Sequence, residues 1–169
     1  MLRPVPAFAL SLLVFFLLAV DGPRPAMAGE ALARLDGTWR IDMLRRINAI
    51  RQREGLDSLR MDERLNRAAQ LHSDDMVKRD FFDHENPDGA RMTDRADAFG
   101  YRWRRLLENL AAGQRDVAAA IEGWMNSPGH RAAILDAQIR DAGMGYAFVP
   151  KDSGSVTKSH YWTLLVGTE

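Results

Sequence analysis

An α+β fold is what this sequence predicts, on three observations. Apolar residues recur at helical spacing through the first two thirds of the chain. Two runs rich in aromatic and β-branched residues close it, and turn-forming residues mark the joins. With 169 residues and no repeat, low-complexity tract or evident linker, the chain reads as one domain behind an export segment.

That segment occupies residues 1–28. Arg3 gives a short positive start, Ala7 to Val20 is an apolar run whose only polar member is Ser11, and Ala26-Met27-Ala28 is a small-residue cleavage site. A membrane-spanning helix wants roughly 20 apolar residues, and Asp21, Pro23, Arg24 and Pro25 end this run sooner. Cleavage after Ala28 is therefore expected, leaving residues 29–169 as the domain, its core about 40–167, with no stable membrane anchor. The destination is the periplasm or the extracellular medium.

Within the domain the first helix is expected from Trp39 to Glu54, with Ile41, Leu44, Ile47 and Ile50 as its apolar stripe and Gly55 as its stop. A second runs from Asp62 to about Arg79, carrying Leu65, Ala68, Ala69, His72 and Met76 on one face. Asn86-Pro87-Asp88-Gly89 is a strong turn signal, and a short helix follows from Arg91 to Phe99, ending at Gly100. Val117, Ala120, Ile121 and Trp124 mark a fourth helix, begun near Asp116 and stopped near Asn126. Ser127-Pro128 reads as an N-cap with proline at the first helical position, opening a short helix through His130 to Leu135. Met144–Val149 and Tyr161–Val166 form an antiparallel hairpin, and their bulky residues at neighbouring positions imply burial on both faces.

Composition narrows the chemistry. The 23 basic and 23 acidic residues balance, so no charge excess points to nucleic acid as a partner. The absence of Cys removes thiol nucleophiles, thiolate metal sites and disulfides together, so stability must come from packing. Histidines, carboxylates and hydroxyls remain. His72 sits on an apolar helix stripe, where a hydrogen-bonded core residue is the plain reading. His160 approaches a strand beside Ser159, and an exposed or interface role suits it. His84 and His130 lie on turn-rich backbone of the kind that hosts function when a scaffold holds it. Their separation is far too long for a local metal motif. Arg102, Arg104 and Arg105 around Trp103 read as a solvated loop, the bolder alternative being a patch for anionic lipid or polymer.

Six short motifs fall in order along the chain. They are Ile47-Asn48-Ala49-Ile50-Arg51; Leu65 with Ala68-Ala69-Gln70-Leu71-His72-Ser73-Asp74-Asp75-Met76; Phe82-Asp83-His84-Glu85-Asn86-Pro87-Asp88-Gly89; Glu108-Asn109-Leu110-Ala111; Trp124-Met125-Asn126-Ser127-Pro128-Gly129-His130-Arg131; and the closing pair Gly143-Met144-Gly145-Tyr146 and Tyr161-Trp162-Thr163. Together they resemble the CAP superfamily, also called SCP-like, in its small secreted bacterial form. Its other members include cysteine-rich secretory proteins, plant pathogenesis-related proteins and insect venom allergens. The resemblance runs from about Leu44 to Gly167.

The resemblance implies an α-β-α sandwich, a small antiparallel sheet between helices. It also implies a cleft lined by two histidines and two acids that in some members holds a divalent ion. By motif position His84 and His130 are the histidines and Glu108 is one acid, while the other acid's place is taken by Ser127. Leu107 stands where a glycine is usual before the Glu-Asn pair. His84, His130 and Glu108 would make a three-ligand site for zinc or another divalent metal with a position left for water. Without metal, either histidine could serve as base toward Ser127 with Glu108 orienting the imidazole, although no GxSxG elbow is present and Ser127 is accounted for as a cap. Two functions compete on this footing. One is an exported binding module for a small ligand, lipid, peptide or cell-envelope component. The other is a metal- or His-dependent hydrolase, most naturally a peptidase.

Overall fold

The computed structural model describes residues 38–150 and 153–169; the expected export segment and residues Lys151 and Asp152 of the hairpin connection lie outside them. In chain order these residues form α1 (Thr38–Arg53), β1 (Arg60–Met61), α2 (Glu63–Arg79), α3 (Met92–Ala98), β2 (Arg105–Ala112), α4 (Val117–Met125), α5 (Pro128–Ile134), β3 (Asp141–Phe148) and β4 (His160–Thr168). One sheet has the order β1-β3-β4-β2. β4 pairs antiparallel with both β3 and β2, and β1 adds a two-residue parallel edge to β3. The helices cover both faces, so the fold is an α-β-α sandwich of the α+β class.

Alternation along β4 divides the interior. Trp162, Leu164 and Val166 face Trp39, Met43 and Ile47 of α1 and Ile121 and Trp124 of α4. Leu165 faces Leu65, Ala68 and Ala69 of α2 and Ala96 of α3. Each large apolar side chain removed from water in this way contributes about 1.5–3 kcal/mol. α2 comes closest of all. A Cβ at Gly143 or Gly145 would fall inside 3.0 Å of the α2 backbone at Leu65, Asn66 and Ala69, so only glycine lets the helix lie on β3.

The same contact closes one edge of the sheet. Beyond β1, the outward amide of Met144 donates to Asn66 Oδ1 at 2.9 Å, and its carbonyl accepts from Arg40 Nε at 2.9 Å. Gln70 pairs with both groups of Tyr146, at 2.8 and 3.2 Å. Helix side chains thus stand in for a missing strand.

All five expected helices form, while two strands were not anticipated. β1 is too short to carry a pattern. β2 contains no β-branched residue, and because its Leu106, Leu110 and Ala111 are buried on both faces it shows no alternation. The stripe expected on α1 is corrected. Trp39, Met43, Ile47 and Arg51 are the buried face, Leu44 and Ile50 flank it, and Ile41 is 65% exposed. Steps of three residues fall behind a 3.6-residue turn, so a 41/44/47/50 stripe rotates off the core. Arg51 occupies the last core position because its guanidinium donates to the carbonyls of Asp57, Ile134 and Asp136 at 2.7–2.9 Å, which anchors the end of α5. Asn48 clamps Leu59 through both its amide groups, at 2.9 and 2.7 Å.

Capping separates two positions that look alike in sequence. Asp62 caps α2 with its carboxylate accepting from Arg64 N and Leu65 N. Ser127 has N-cap backbone geometry on α5, but its side chain makes no capping bond, which corrects the expected cap. Asp62→Ala is accordingly expected to cost about 1 kcal/mol. Ser127→Ala should stay within about 0.5 kcal/mol of the parent. Urea unfolding of both variants checks the contrast.

Candidate functional site

β2 is the outer strand on the far side of the sheet from β1, and a cleft of ≈ 470 Å³ runs beside its centre. Asp83, His84, Glu85, Arg91, Met92, Leu107, Glu108, Asn109, Gly129, His130 and Ala133 line it. Three of the expected site residues, His84, Glu108 and His130, are therefore brought together. Ser127 sits at the start of α5 and is not part of the lining.

Pleating explains how two adjacent strand residues serve two histidines. Glu108 projects to the α2–α3 face with Leu106 and Leu110, whereas Asn109 projects to the opposite face with Leu107 and Ala111. On the first face, His84 Nδ1 donates to Glu108 Oε1 at 2.9 Å. On the second, Asn109 Nδ2 donates to the carbonyl of His130 at 2.9 Å, fixing the start of α5. The histidines approach the strand edge from opposite sides, one held by its ring and the other by its backbone.

Glu108 is the buried centre of this arrangement. Its side chain is 1% exposed, and its second oxygen accepts from Arg95 Nη2 at 2.6 Å. Arg95, itself 4% exposed, also donates to the Ala90 carbonyl at 3.1 Å, so α3 grips the loop that carries His84. From α2, His72 Nε2 donates to the Asp83 carbonyl at 2.9 Å. This is the hydrogen-bonded core role expected of His72, placed one residue before His84. The Asn86 turn completes the loop. Asn86 Oδ1 accepts from the amides of Asp88 and Ala90, and Gly89 takes the φ of +84° that the turn requires.

The two cleft imidazoles titrate differently. The hydrogen bond to Glu108, helped by that carboxylate's charge, raises His84 above the ordinary histidine value against the effect of burial. Burial lowers His130, and the charge of His84 lowers it further. Near neutral pH the cleft thus holds a cation-favouring donor in His84, whose ring is 59% exposed, beside a neutral His130. Burial also lowers His72. An NMR titration of the imidazole resonances is expected to place His84 above about 6.5, and His130 and His72 below it. The linkage follows in sign. A raised His84 stabilises the fold below its unfolded value and loses that contribution as pH rises through the folded one. The lowered His72 and His130 contribute above their unfolded value and lose it as pH falls. Coincident titration of His84 and His130 would contradict this arrangement.

As a metal centre the donor set is incomplete. Both oxygens of Glu108 are already taken, by Arg95 and His84. Among the described residues no group of three His, Asp or Glu side chains is disposed to hold an ion. The expected triad of His84, His130 and Glu108 therefore does not fit a three-ligand site in this arrangement. Two further acids line the cleft that sequence reasoning passed over, although both flank His84. Asp83 Oδ1 accepts from the Glu85 amide at 3.1 Å, and Glu85 pairs with Arg91 at 2.8 Å. His160 lies elsewhere, on β4, with its Nδ1 2.9 Å from the Tyr146 hydroxyl. Of the basic run, Arg105 belongs to β2 and pairs with Asp136, while Trp103 is 38% exposed.

Comparison with known proteins gives a consistent picture. Residues 44–166 match the model of the CAP family, described as the cysteine-rich secretory protein family. The YkwD protein of Bacillus subtilis is 38% identical over 109 residues, covering 64% of this chain and 41% of that protein. The membrane protein YlbC of the same organism is 32% identical over 120 residues, covering 71% and 35%. The chain thus spans less than half the length of either relative. Among solved structures, an extracellular SCP-domain protein from Bacillus anthracis aligns with a TM-score of 0.66 and 28% identity, over 76% of this chain and 39% of that one. An outer surface protein from Borrelia burgdorferi aligns with the same TM-score at 18% identity, over 77% and 92%, a likeness of fold. No helix among the described residues is long and apolar enough to cross a membrane.

Proposed function

Because this chain belongs to the CAP, or cysteine-rich secretory protein, family, we propose that it is an exported binding module whose cleft between His84 and His130 captures a ligand outside the cytoplasm. The observation that carries this reading is the use made of Glu108. Its buried carboxylate is spent on Arg95 and His84, holding a donor in place rather than standing free to take a proton. Asp83 and Glu85 are likewise engaged, and among the described residues no hydroxyl or thiol side chain lines the cleft. The unlike pair of imidazoles suits recognition of a polar group, with His84 donating and neutral His130 able to donate or accept. Lipid, peptide and soluble envelope fragments are the ligand classes in view.

Divalent-metal binding enters only in a weak form. His84 Nε2 and His130 are two donors, short of the three or four protein ligands that zinc takes. Calorimetric titration with zinc is expected to show low affinity that fades as pH falls and the imidazoles protonate, His84 first. His84→Ala and His130→Ala should each abolish it. Equal binding by parent and both variants would discard any metal role for this pair.

The binding reading is tested by titrating solubilised peptidoglycan fragments and short peptides into the labelled protein while following its histidine resonances. Saturable shifts at His84 and His130, lost in His84→Ala and retained in His160→Ala, are expected. Multiple-turnover cleavage of those fragments, abolished by either cleft-histidine variant, would replace the binding module with a hydrolase.

A further inference from the structure

The two outer edges of the sheet are treated in opposite ways. On β3 the outward backbone groups from the Ala142 carbonyl to Tyr146 all have partners, supplied by Asp62, Asn66, Arg40 and Gln70. On β2 the phase of the ladder is set by Gly113, whose amide donates to the His160 carbonyl at 2.8 Å. Counting back through the register, Ala111, Asn109 and Leu107 turn their amides and carbonyls toward β4, while Ala112, Leu110, Glu108 and Leu106 turn theirs outward. The Leu110 carbonyl agrees with this phase, since it accepts from Trp124 Nε1 at 2.9 Å. Apart from this bond the outward groups of β2 meet no hydrogen bond from a described residue, and of them it is Glu108 that borders the cleft. Its amide and carbonyl face the cleft, and no hydrogen bond from a described residue meets them.

An open stretch of edge strand is a template for a further strand, and proteins ordinarily cover it. Here the part of the open edge that borders the cleft lies between two histidines that are themselves held by Glu108 and Asn109. We propose that the cleft takes an extended stretch of polypeptide, which adds to the edge of β2 and exchanges main-chain hydrogen bonds with Glu108. This rests on the binding-module reading and names its ligand class. One ligand residue would donate to the Glu108 carbonyl and accept from the Glu108 amide. Its neighbours' side chains would then point alternately to the two sides of the strand. On one side they meet His84, Arg91 and Met92, and on the other His130 with the small residues Gly129 and Ala133.

The test reads the main chain directly. The exported protein, ¹⁵N-labelled, is mixed with a panel of blocked all-L pentapeptides varied at the central residue, and amide exchange is followed through β2. Without peptide, the Glu108 amide should exchange much faster than those of Leu107 and Asn109. A binding pentapeptide should slow Glu108 selectively, and N-methylation of its paired amide alone should weaken binding by roughly tenfold or more. Methylation of the adjacent amide, which points away from the strand, should leave affinity unchanged. No protection of Glu108 by any pentapeptide overturns strand addition. So does binding that shifts His84 and His130 but ignores N-methylation, and in that case the cleft remains a binding site for another chemistry. Failure of His84 and His130 to respond to peptides and peptidoglycan fragments alike would instead sink the binding module itself.

Discussion

Gly145→Ala is expected to destabilise the protein by about 3 kcal/mol or more. The added carbon would fall inside 3.0 Å of the backbone carbon and oxygen of Ala69 and the amide of Gln70. None of these is the end of a flexible side chain, so relief requires α2 to lift away from β3. Lifting α2 stretches the paired bonds between Gln70 and Tyr146 and that between Asn66 and the Met144 amide. One methyl group thus works against both a packed face and a covered edge. Gly129→Ala is the control, because a Cβ there meets nothing within 4 Å. As a residue inside α5 it should be neutral or stabilise by up to about 1 kcal/mol. Urea unfolding compares the two. A Gly145→Ala variant within 1 kcal/mol of the parent would show that α2 is not held where these contacts place it.

Arg95→Met is expected to cost about 3–5 kcal/mol, because it strands a buried carboxylate. Glu108 keeps only His84 as a partner, and the Ala90 carbonyl loses one of its two donors, keeping the Asn86 amide. The effect should reach the cleft through the loop that carries His84. Where the variant remains folded, His84 should titrate higher still, since the Arg95 charge acts to lower it in the parent. Glu108→Gln separates the two roles of the carboxylate. It removes the cause that raises His84, so that imidazole should return toward the ordinary value. Unfolding curves and histidine titrations on the same two variants decide the matter. Unchanged titration of His84 in both would disconnect Arg95 and Glu108 from the cleft.

Much of this protein was legible in the residues. The helices are local features. Caps, turn residues and apolar spacing for α2 through α5 are written within one or two turns of each other, and the structure places these helices within a residue or two of expectation. The hairpin strands β3 and β4 were readable because burial on both faces concentrates bulky residues without a break. His72 was legible too, since a histidine on an otherwise apolar stripe must hydrogen-bond in the interior.

Other features depend on partners distant in the chain. β2 lacks a strand composition and becomes one by pairing with β4, about fifty residues later. Arg51 sits in the core because carbonyls around residues 134–136 surround it, which no local pattern announces. The site is of this second kind. The residues and their motifs marked His84, Glu108 and His130 and left histidine, carboxylate and hydroxyl chemistry as what remained. Folding is what buries Glu108 against Arg95 and sets Asn109 to work on the opposite face of the sheet. It also decided that Ser127 lies off the cleft lining and that the Glu108 backbone is left open between two histidines. The reason is physical: hydrogen-bond satisfaction and burial belong to pairs of groups, and the chain supplies the second member of each pair only when it folds.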